Sequence, residues 1–209
     1  MKSRNSLLII FIKNPQAGKV KKRLAAGTGH HVALQVYRKL LFNTQIICDD
    51  VAVQKAVCYS DFVDEHDHWP AENYLKFQQQ GEELGERMKN AFKQAFAWGY
   101  EKVVLIGGDI VELNAAVIRE AFRKLDENEV VMGPAKDGGY YLIGMKKLYD
   151  ALFSDMHWGE SVVYRESLLV LEKNGIHFAE LQQLADLDSF EDFQKYKHMI
   201  EKLEDYNES

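Results

Sequence analysis

The alternation of short apolar runs with longer segments of helical periodicity constrains the fold most. Residues 7–13 (LLIIFIK) and 102–106 are largely continuous apolar runs, the pattern of strands that are buried on both faces. Residues 84–98 repeat their apolar side chains at helical spacing, and Gly99 can end that helix. Strands that alternate with helices predict an α/β fold, a doubly wound, mostly parallel sheet with helices on both faces.

The other predicted elements continue this alternation. Further strands are expected at residues 51–59, 74–78, 130–132 and 176–181, with a hairpin-like excursion at 140–144. Helical patterns cover residues 32–41, 115–125 and 160–173, and Ser189 with Asp192 resembles a capping box that starts a closing helix. The chain has 209 residues, so we expect one domain, 1–203, followed by a polar tail, 204–209.

Charge distribution favours a small anionic ligand. The net charge of −6 argues against nucleic acid as a partner, yet residues 1–48 contain nine Lys and Arg and no Asp or Glu. A basic surface without a ligand is the alternative. The N-terminal apolar run is too short for a signal peptide or a membrane span, so the cytoplasm is expected and a membrane partner is not. Cys48 and Cys58 lack metal or disulfide spacing and are predicted to be reduced thiols.

Ligands of parallel α/β sheets bind beyond the carboxyl ends of the strands, so the loops there are the candidate site. The first loop follows residue 13 and is rich in positive charge. Gly18 can direct backbone N–H groups at a diphosphate, and cationic side chains can bind its oxygens. The candidate phosphate-binding residues of this loop are Lys13, Gly18, Lys19, Lys22 and Arg23. It is not a Walker A loop, and a solvated basic loop is the alternative.

Two aspartates near strand ends are candidate metal ligands. Asp109 follows Gly107 and Gly108 at the end of a predicted buried strand, and Asp188 follows the last strand. Carboxylates are hard oxygen donors suited to Mg²⁺ or Mn²⁺. Helix capping is the alternative for both aspartates, since carboxylates are favourable near a helix N-terminus without any ligand.

Two further loops could contact substrate. Asp137 with Gly138 and Gly139 is a tight-turn sequence, and turn formation alone would explain it; the functional alternative is contact with a sugar or base. Residues 80–88 form a glycine-flanked turn whose Arg87 could bind an anion or pair with glutamates. Trp158 is read as a packed side chain, with contact to a sugar as the alternative.

In order, these loops resemble a bacterial family of glycosyltransferase-A-like proteins called DUF2064, also known as selenodomain-associated or arsenosugar-biosynthesis transferases. The family pattern F-x-K-x-P-x-x-G-x-V-K-T-R-L corresponds to residues 11–24, and the Q-x-G-x-L-G-x-R-M segment to 80–88. G-x-D-x-P-x-L corresponds to 107–113, and G-P-x-x-D-G-G-Y-Y-L-I-G to 133–144. W-S-T corresponds to 158–161 and D-x-D-T-x-x-D-L to 186–193, so the resemblance covers nearly the whole chain.

The resemblance implies a nucleotide-diphospho-sugar transferase fold, shared with the molybdenum-cofactor and phospholactate guanylyltransferases. It implies a metal-dependent transferase that acts on a nucleotide or nucleotide sugar. Glycosyl transfer is the preferred activity. Nucleotidyl transfer is the first alternative, and a non-catalytic nucleotide-binding protein is the second. A homodimer stays open. Asp109 and Asp188 would bind Mg²⁺ or Mn²⁺, and Asp137 would lie on the acceptor or sugar side. Our hypothesis is that Asp137 acts with Asp109 in catalysis, by orienting or deprotonating the acceptor hydroxyl. Phosphate or nucleotide contacts are implied for Lys13, Gly18, Lys19, Lys22, Arg23, Gln80, Arg87 and Gly107, and substrate or acceptor contacts for Gly138, Gly139, Tyr140 and Trp158.

The sequence departs from the family pattern at several positions. Lys22 stands where the family has Thr, and Val111 where it has Pro. Gly159 and Glu160 replace the Ser-Thr that follows the tryptophan, and Ser189 replaces Thr. The two implied metal ligands are retained, so these departures concern substrate choice.

Overall fold

A seven-stranded sheet with helices on both faces forms the protein. The computed structural model describes residues 3–154 and 156–203; the predicted tail, 204–209, lies outside the described residues. The strands are β1 (Ser3–Ile12), β2 (Val53–Tyr59), β3 (Tyr74–Gln78), β4 (Lys102–Gly107), β5 (Val130–Pro134), β6 (Tyr140–Met145) and β7 (Phe178–Glu180). The helices are α1 (Lys22–Thr28), α2 (His30–Asp49), α3 (Leu84–Ala97), α4 (Ala115–Glu127), α5 (Val163–Lys173) and α6 (Phe190–Glu201), with a 3₁₀ turn at Asp150–Leu152.

The sheet is mostly parallel, as predicted. Its strand order is β3-β2-β1-β4-β6-β5-β7. β1 pairs in parallel with β2 and β4, β2 pairs with β3, and β5 pairs with β7. The hairpin-like excursion is strand β6, which runs antiparallel between β4 and β5. The carboxyl ends of β1, β2, β3 and β4 therefore lie at one edge of the sheet.

The core has two layers, one on each face of the sheet. Alternate residues of β1 point to opposite faces, so Leu8 and Ile10 join the layer with α2 and α4, while Leu7 and Ile9 join the layer with α3 and α5. All four are fully buried, which explains why this strand is apolar without alternation. A third cluster joins α1, α2 and α6.

Helix α1 is absent from the sequence-based prediction, which treats residues 14–22 as a loop and begins the next helix near residue 32. The segment is short and lacks an apolar period, and only Leu24 and Ala25 of the helix are buried. Contact with α6 stabilises this helix. The two helices pack so closely that a Cβ at Gly27 would lie 2.7 Å from the Phe190 ring. Tertiary contact thus creates a helix that local periodicity does not indicate.

Cys48 and Cys58 are buried and free, in agreement with the prediction of reduced thiols. Burial raises the pKa of both thiols. Across the described part of the chain, no helix combines the length and apolar character that crossing a membrane would require.

Candidate functional site

The loop after β1 is built around Lys21. This residue adopts a left-handed backbone conformation, with φ of 46°, immediately before α1. Its side chain is 5% exposed, and its ammonium nitrogen lies 2.7 Å from Oδ2 of Asp109. The same ammonium donates a hydrogen bond to the carbonyl oxygen of Leu187. One lysine thereby joins the loops after β1 and β4 to the segment that precedes α6.

Asp109 lies where β4 ends, beside the end of β1. The backbone N–H of Gly108 donates to the carbonyl of Phe11, and the hydroxyl of Thr44 donates to the carbonyl of Gly108 at 2.8 Å. Helix capping does not explain the aspartate, because Asn114 caps α4 by accepting hydrogen bonds from the N–H groups of residues 116 and 117. Asp109 is instead directed at the basic loop.

Asp188 joins the same edge through Arg23. The Arg23 guanidinium lies 3.1 Å from Oδ2 of Asp188, and both side chains are substantially exposed. The alternative of capping applies to the next residues: Ser189 and Asp192 form a reciprocal capping box at the start of α6. Exposed ion pairs contribute little to stability, so the Arg23–Asp188 pair can be exchanged for a ligand at small cost.

A further carboxylate, Asp186, lies in this cluster. Burial raises its pKa to about 6, and the negative charge of Asp137 adds to the effect. Its own backbone N–H and the Lys21 ammonium act in the opposite direction. Asp137 and Asp188, which come from two separate loops, are therefore each within electrostatic range of Asp186.

Glu112 ties the carboxylate-bearing loops together. Its carboxylate accepts hydrogen bonds from the N–H of Ala185 at 2.6 Å and from the Tyr196 hydroxyl at 3.1 Å. It also lies 3.2 Å from the ammonium of Lys136. These contacts reach the residue before Asp137, the residue before Asp186, and helix α6. Burial alone would raise the pKa of Glu112, but the hydrogen bonds from Ala185, Lys136 and Tyr196 hold it below its usual value.

The Asp137 turn has a structural requirement of its own. Oδ1 of Asp137 accepts a hydrogen bond from the N–H of Gly139 at 2.9 Å, which closes the turn. Gly138 has a φ of 93°, and a Cβ there would lie 2.0 Å from the carbonyl oxygen of Ser161. The glycine is needed because the segment before α5 passes directly over the turn.

Four basic candidate residues of the first loop are exposed: Lys13, Lys19, Lys22 and Arg23. The backbone beneath Lys13 is anchored, because the Tyr37 hydroxyl bonds both the N–H and the carbonyl of Lys13 at 3.0 Å. Gly18 adopts a φ of 79°, as a turn requires.

The loop after β3 is anchored by Gln79, whereas the predicted nucleotide contact is Gln80. Gln79, and not Gln80, is buried there, and its amide donates to the carbonyls of Ile12 and Cys58 at 3.0 Å, which locks three strand ends together. Gln80 is exposed. The Arg87 side chain donates to the carbonyl of Gly81 at 2.9 Å, so it closes its own loop rather than pairing with the glutamates.

The Trp158 side chain is partly buried, and its contact with a sugar stays a prediction. A Cβ at Gly85 would lie 2.2 Å from the Trp158 indole nitrogen, so the ring lies directly on α3. Tyr140 meets Trp158 edge to face, with 6.4 Å between the ring centroids.

Of the two glycines before Asp109, packing requires a glycine only at position 108. A Cβ at Gly108 would lie 2.6 Å from Ile12, whereas Gly107 has more space.

The carboxylates at this edge suit a hard divalent cation that takes its remaining ligands from the substrate. In the described residues, no group of three or more His, Cys, Asp or Glu side chains could hold a metal ion without other ligands. Mg²⁺ commonly binds one or two carboxylates and takes its other ligands from phosphates and water. Asp109 and Asp188 fit that pattern, and a protein cage of three or more ligands does not fit.

The residues that depart from the family pattern lie in different parts of the structure. Val111 is buried in the cluster between α1 and α6 and fills the space with apolar contacts. Lys22 is the exposed first residue of α1. Gly159 has a φ of 85° with open space around its Cβ position, so its role is conformational. Ser189 keeps the capping function of a hydroxyl residue.

Sequence reasoning omitted Lys21, Gln79 and Glu112 from the candidate site. Lys21 lies within the basic loop motif, but the sequence does not distinguish it from the other cations of residues 19–23. Gln79 and Glu112 had no signal in the single sequence, since their roles arise from carbonyl and N–H groups that only the fold brings near.

The protein is similar to several solved structures. A candidate nucleotide-diphospho-sugar transferase from Desulfovibrio desulfuricans G20 is 26% identical, with a TM-score of 0.82 over 95% of this chain and 98% of that one. The inositol-1-phosphate CTP transferase of T. maritima is 17% identical, with a TM-score of 0.58 over 96% of each chain. Rv0371c from Mycobacterium tuberculosis H37Rv, solved with manganese, is 14% identical, with a TM-score of 0.56 over 95% of this chain and 99% of that one. The latter two likenesses concern the fold alone.

The architecture is therefore that of the nucleotide-diphospho-sugar transferases, as the resemblance implied. A search among functionally curated proteins gave no match. The model of a family described as "uncharacterized protein conserved in bacteria (DUF2064)" matches residues 45–160, which is more than half of the chain. The chain belongs to the DUF2064 family.

Proposed function

We propose that the protein is a metal-dependent transferase that acts on a nucleotide-activated substrate and transfers a glycosyl group from a nucleotide-diphospho-sugar to a small acceptor. The observation that carries this proposal is the contact of Lys21 with both Asp109 and Leu187. It brings the basic loop and two carboxylate-bearing segments to one edge of the sheet, where ligands of this type of fold bind. The 26% identity to the Desulfovibrio protein supports the nucleotide-diphospho-sugar as donor.

The cations divide into two roles by their burial. Lys21 is buried against Asp109 and holds the carboxylate in place. Lys19 and Arg23 are exposed, and we assign them to the diphosphate, where they offset the charge that develops on the leaving group. Arg23 offers a two-pronged donor for phosphate oxygens and can leave Asp188 at small cost.

Asp109 and Asp188 would hold Mg²⁺ or Mn²⁺ together with phosphate oxygens. The cation supplies electrostatic stabilisation of the diphosphate leaving group when it is bound. Asp137 is assigned to the acceptor hydroxyl, which it orients or deprotonates, because its loop faces Asp186 across the same edge. Removal of one such electrostatic stabiliser costs about 3 kcal/mol of barrier in comparable sites.

Nucleotidyl transfer with release of pyrophosphate is the second candidate. It is favoured by the fold likeness to the T. maritima CTP transferase and to a CMP:2-keto-3-deoxy-manno-octonic acid synthetase complexed with CTP, which is 10% identical with a TM-score of 0.54. A protein that binds nucleotides without turnover is the third candidate.

Product analysis separates the three. The protein is incubated with Mg²⁺ or Mn²⁺, a panel of nucleotide sugars or nucleoside triphosphates, and small hydroxylated acceptors. Glycosyl transfer releases a nucleoside diphosphate, and nucleotidyl transfer releases pyrophosphate. Either product should depend on the metal and fall about 100-fold in Asp109→Asn. Binding without either product identifies a non-catalytic protein, and turnover that is indifferent to metal and to Asp109 contradicts the proposal.

A further inference from the structure

A second concave site lies beside the edge strand β3. It is a cavity of about 650 Å³ between the end of β3 and the exposed side of α3. This volume lies within the usual range for small-molecule sites. The lining comprises Phe77, Gln78, Gln79, Gln80, Asn90, Ala91, Lys93, Gln94, Ala97 and Trp98.

The lining is rich in neutral amides. Five of its ten residues are Gln or Asn, none is acidic, and Lys93 is the one charged residue. Several amide nitrogens already donate to protein carbonyls: Asn90 donates to the carbonyl of Gln80 at 2.8 Å, and Gln79 donates to Ile12 and Cys58. These bonds fix the amides of Asn90 and Gln79, whose oxygens each have two lone pairs for accepting hydrogen bonds. The cavity is thus suited to a ligand that donates several hydrogen bonds, and its lining holds no carboxylate that would bind a cation.

Aromatic rings supply the apolar part of the wall. Trp98 is 43% exposed, although it ends α3 beside the core. Phe77 supports it edge to face, with 5.2 Å between the ring centroids. An indole held in place by a second ring and left open on one side presents a flat apolar surface at low entropic cost.

Fixed amides beside an exposed, supported indole match the chemistry of a sugar ring, which has hydroxyl groups at its rim and C–H groups on its faces. We propose that this cavity is a binding site for a neutral sugar or a similar polyhydroxylated compound. The cavity lies on the β3 side of the sheet edge described above, and it shares Gln80 with the nucleotide contacts that the sequence predicts. β3 lies three strands from β4 in the sheet order, which is about 14 Å at the usual strand spacing. The proposal therefore does not depend on the proposed transferase activity.

Nuclear magnetic resonance of the full chain tests the site directly. Neutral mono- and disaccharides are titrated to about 10 mM without nucleotide or metal, a range that detects weak ligands. We expect saturable shifts of the side-chain amide signals of Asn90 and Gln94 and of the Trp98 indole. Inorganic phosphate and free nucleosides, titrated in the same way, serve as control probes.

Two exposed glutamines give a matched pair of variants. Gln94→Leu removes an amide from the cavity, and Gln182→Leu makes the same change elsewhere on the surface. The first should weaken sugar binding at least about tenfold, and the second should leave it unchanged. The proposal is overturned if no sugar shifts the cavity signals, if phosphate or a nucleoside shifts them equally, or if Gln94→Leu binds like the wild type. The wild-type titration decides the question even if Gln94→Leu does not fold.

Discussion

The ammonium group of Lys21 lies 2.7 Å from the carboxylate of Asp109, and the lysine side chain is almost completely buried. The pair connects residue 21, which precedes α1, to residue 109 at the end of β4. Since the lysine cannot be solvated there, the aspartate is its necessary counter-charge. The pair thus stabilises the fold and also fixes the carboxylate that we assign to the metal.

A double-mutant cycle should reveal this dependence. Asp109→Leu leaves the Lys21 ammonium buried without its partner, so we expect a loss of about 3–5 kcal/mol in the free energy of unfolding. Lys21→Met should cost less, because Asp109 is 31% exposed and can be hydrated. The double variant should be more stable than the sum of the single losses predicts.

Urea denaturation measures all four proteins of the cycle. The exposed pair Lys102–Asp126 serves as the control, and its disruption should cost less than about 1 kcal/mol. Additive losses at Lys21 and Asp109 would show that the two groups do not interact as described.

Glu112 should affect the site without contacting substrate. Glu112→Ala removes the acceptor for Ala185 and Tyr196, so we expect a loss of about 2 kcal/mol in stability and a loosened segment 184–188. Glu120→Ala on the nearby helix α4 breaks only exposed pairs with Arg123 and Lys124 and should cost less than about 0.5 kcal/mol. Hydrogen exchange should rise at Ala185 in the first variant only. Unchanged protection there would refute the positioning role.

The lowered pKa of Glu112 also predicts a pH effect. A carboxyl whose pKa is lower in the folded state adds stability above its unfolded pKa, near 4.5, and that stability is lost as the pH falls through the folded value. The difference in stability between wild type and Glu112→Gln should therefore shrink on acidification below about pH 4.5. Urea titrations at pH 7 and in mild acid measure it, and a difference that grows in acid would contradict the assignment.

Two glycines with similar backbone angles should respond differently to alanine. Gly138→Ala combines a left-handed φ with a Cβ that would lie 2.0 Å from the Ser161 carbonyl, whereas a Cβ at Gly159 meets nothing within 4 Å. Gly159→Ala should lower the free energy of unfolding by about 1 kcal/mol, because alanine is strained in the left-handed backbone conformation. Gly138→Ala should cost at least about 2 kcal/mol more, because the turn or the Ser161 segment must move. Thermal unfolding compares the two, and equal losses would show that the close approach is absent.

His157 should titrate above the usual range for histidine. Its Nδ1 lies 2.6 Å from a carboxylate oxygen of Glu166, and this hydrogen bond raises the pKa of the imidazole. The pKa of the Glu166 carboxyl is lowered first by the hydrogen bond from the backbone N–H of His157 and then by that from the ring. The pair therefore adds its full stability between the ordinary pKa values of the two groups, 4.5 for Glu166 and 6.5 for His157. This stability is lost as the pH rises through the raised pKa of His157 or falls through the lowered pKa of Glu166. In Glu166→Gln the pKa of His157 should move back toward 6.5, as followed by its imidazole resonances. A pKa that does not change would mean that the contact is not formed in solution.

The sheet and its long helices could be predicted because each carries a local signal. β1 is apolar throughout since both of its faces are buried, and α3 repeats Met88, Ala91 and Ala95 on one face. Helix α1 could not be predicted, because its contacts with α6 come from residues about 165 positions away. β6 was recognised as a strand, but its antiparallel pairing with both neighbours depends on the sheet order.

The residues of the candidate site also divide into those that the sequence predicts and those that only the fold reveals. Asp109, Asp188 and the basic loop were found because charged residues follow apolar runs at strand ends. Lys21 was overlooked because four cations stand close together in residues 19–23 and the sequence does not show which one turns inward. Only the left-handed backbone at Lys21 and the space beside Asp109 make that distinction.

Calorimetric titration of nucleoside diphosphates tests the central claim most directly. UDP, GDP, CDP and ADP are each titrated into wild type, Asp109→Asn, Asp188→Asn and the surface control Asp126→Asn, with Mn²⁺ and with a chelator. We predict that at least one nucleotide binds wild type and Asp126→Asn in the presence of Mn²⁺, and that the chelator or either site variant weakens it at least about tenfold. Absence of binding by every nucleotide, or equal affinity in all four proteins with and without metal, would contradict the account.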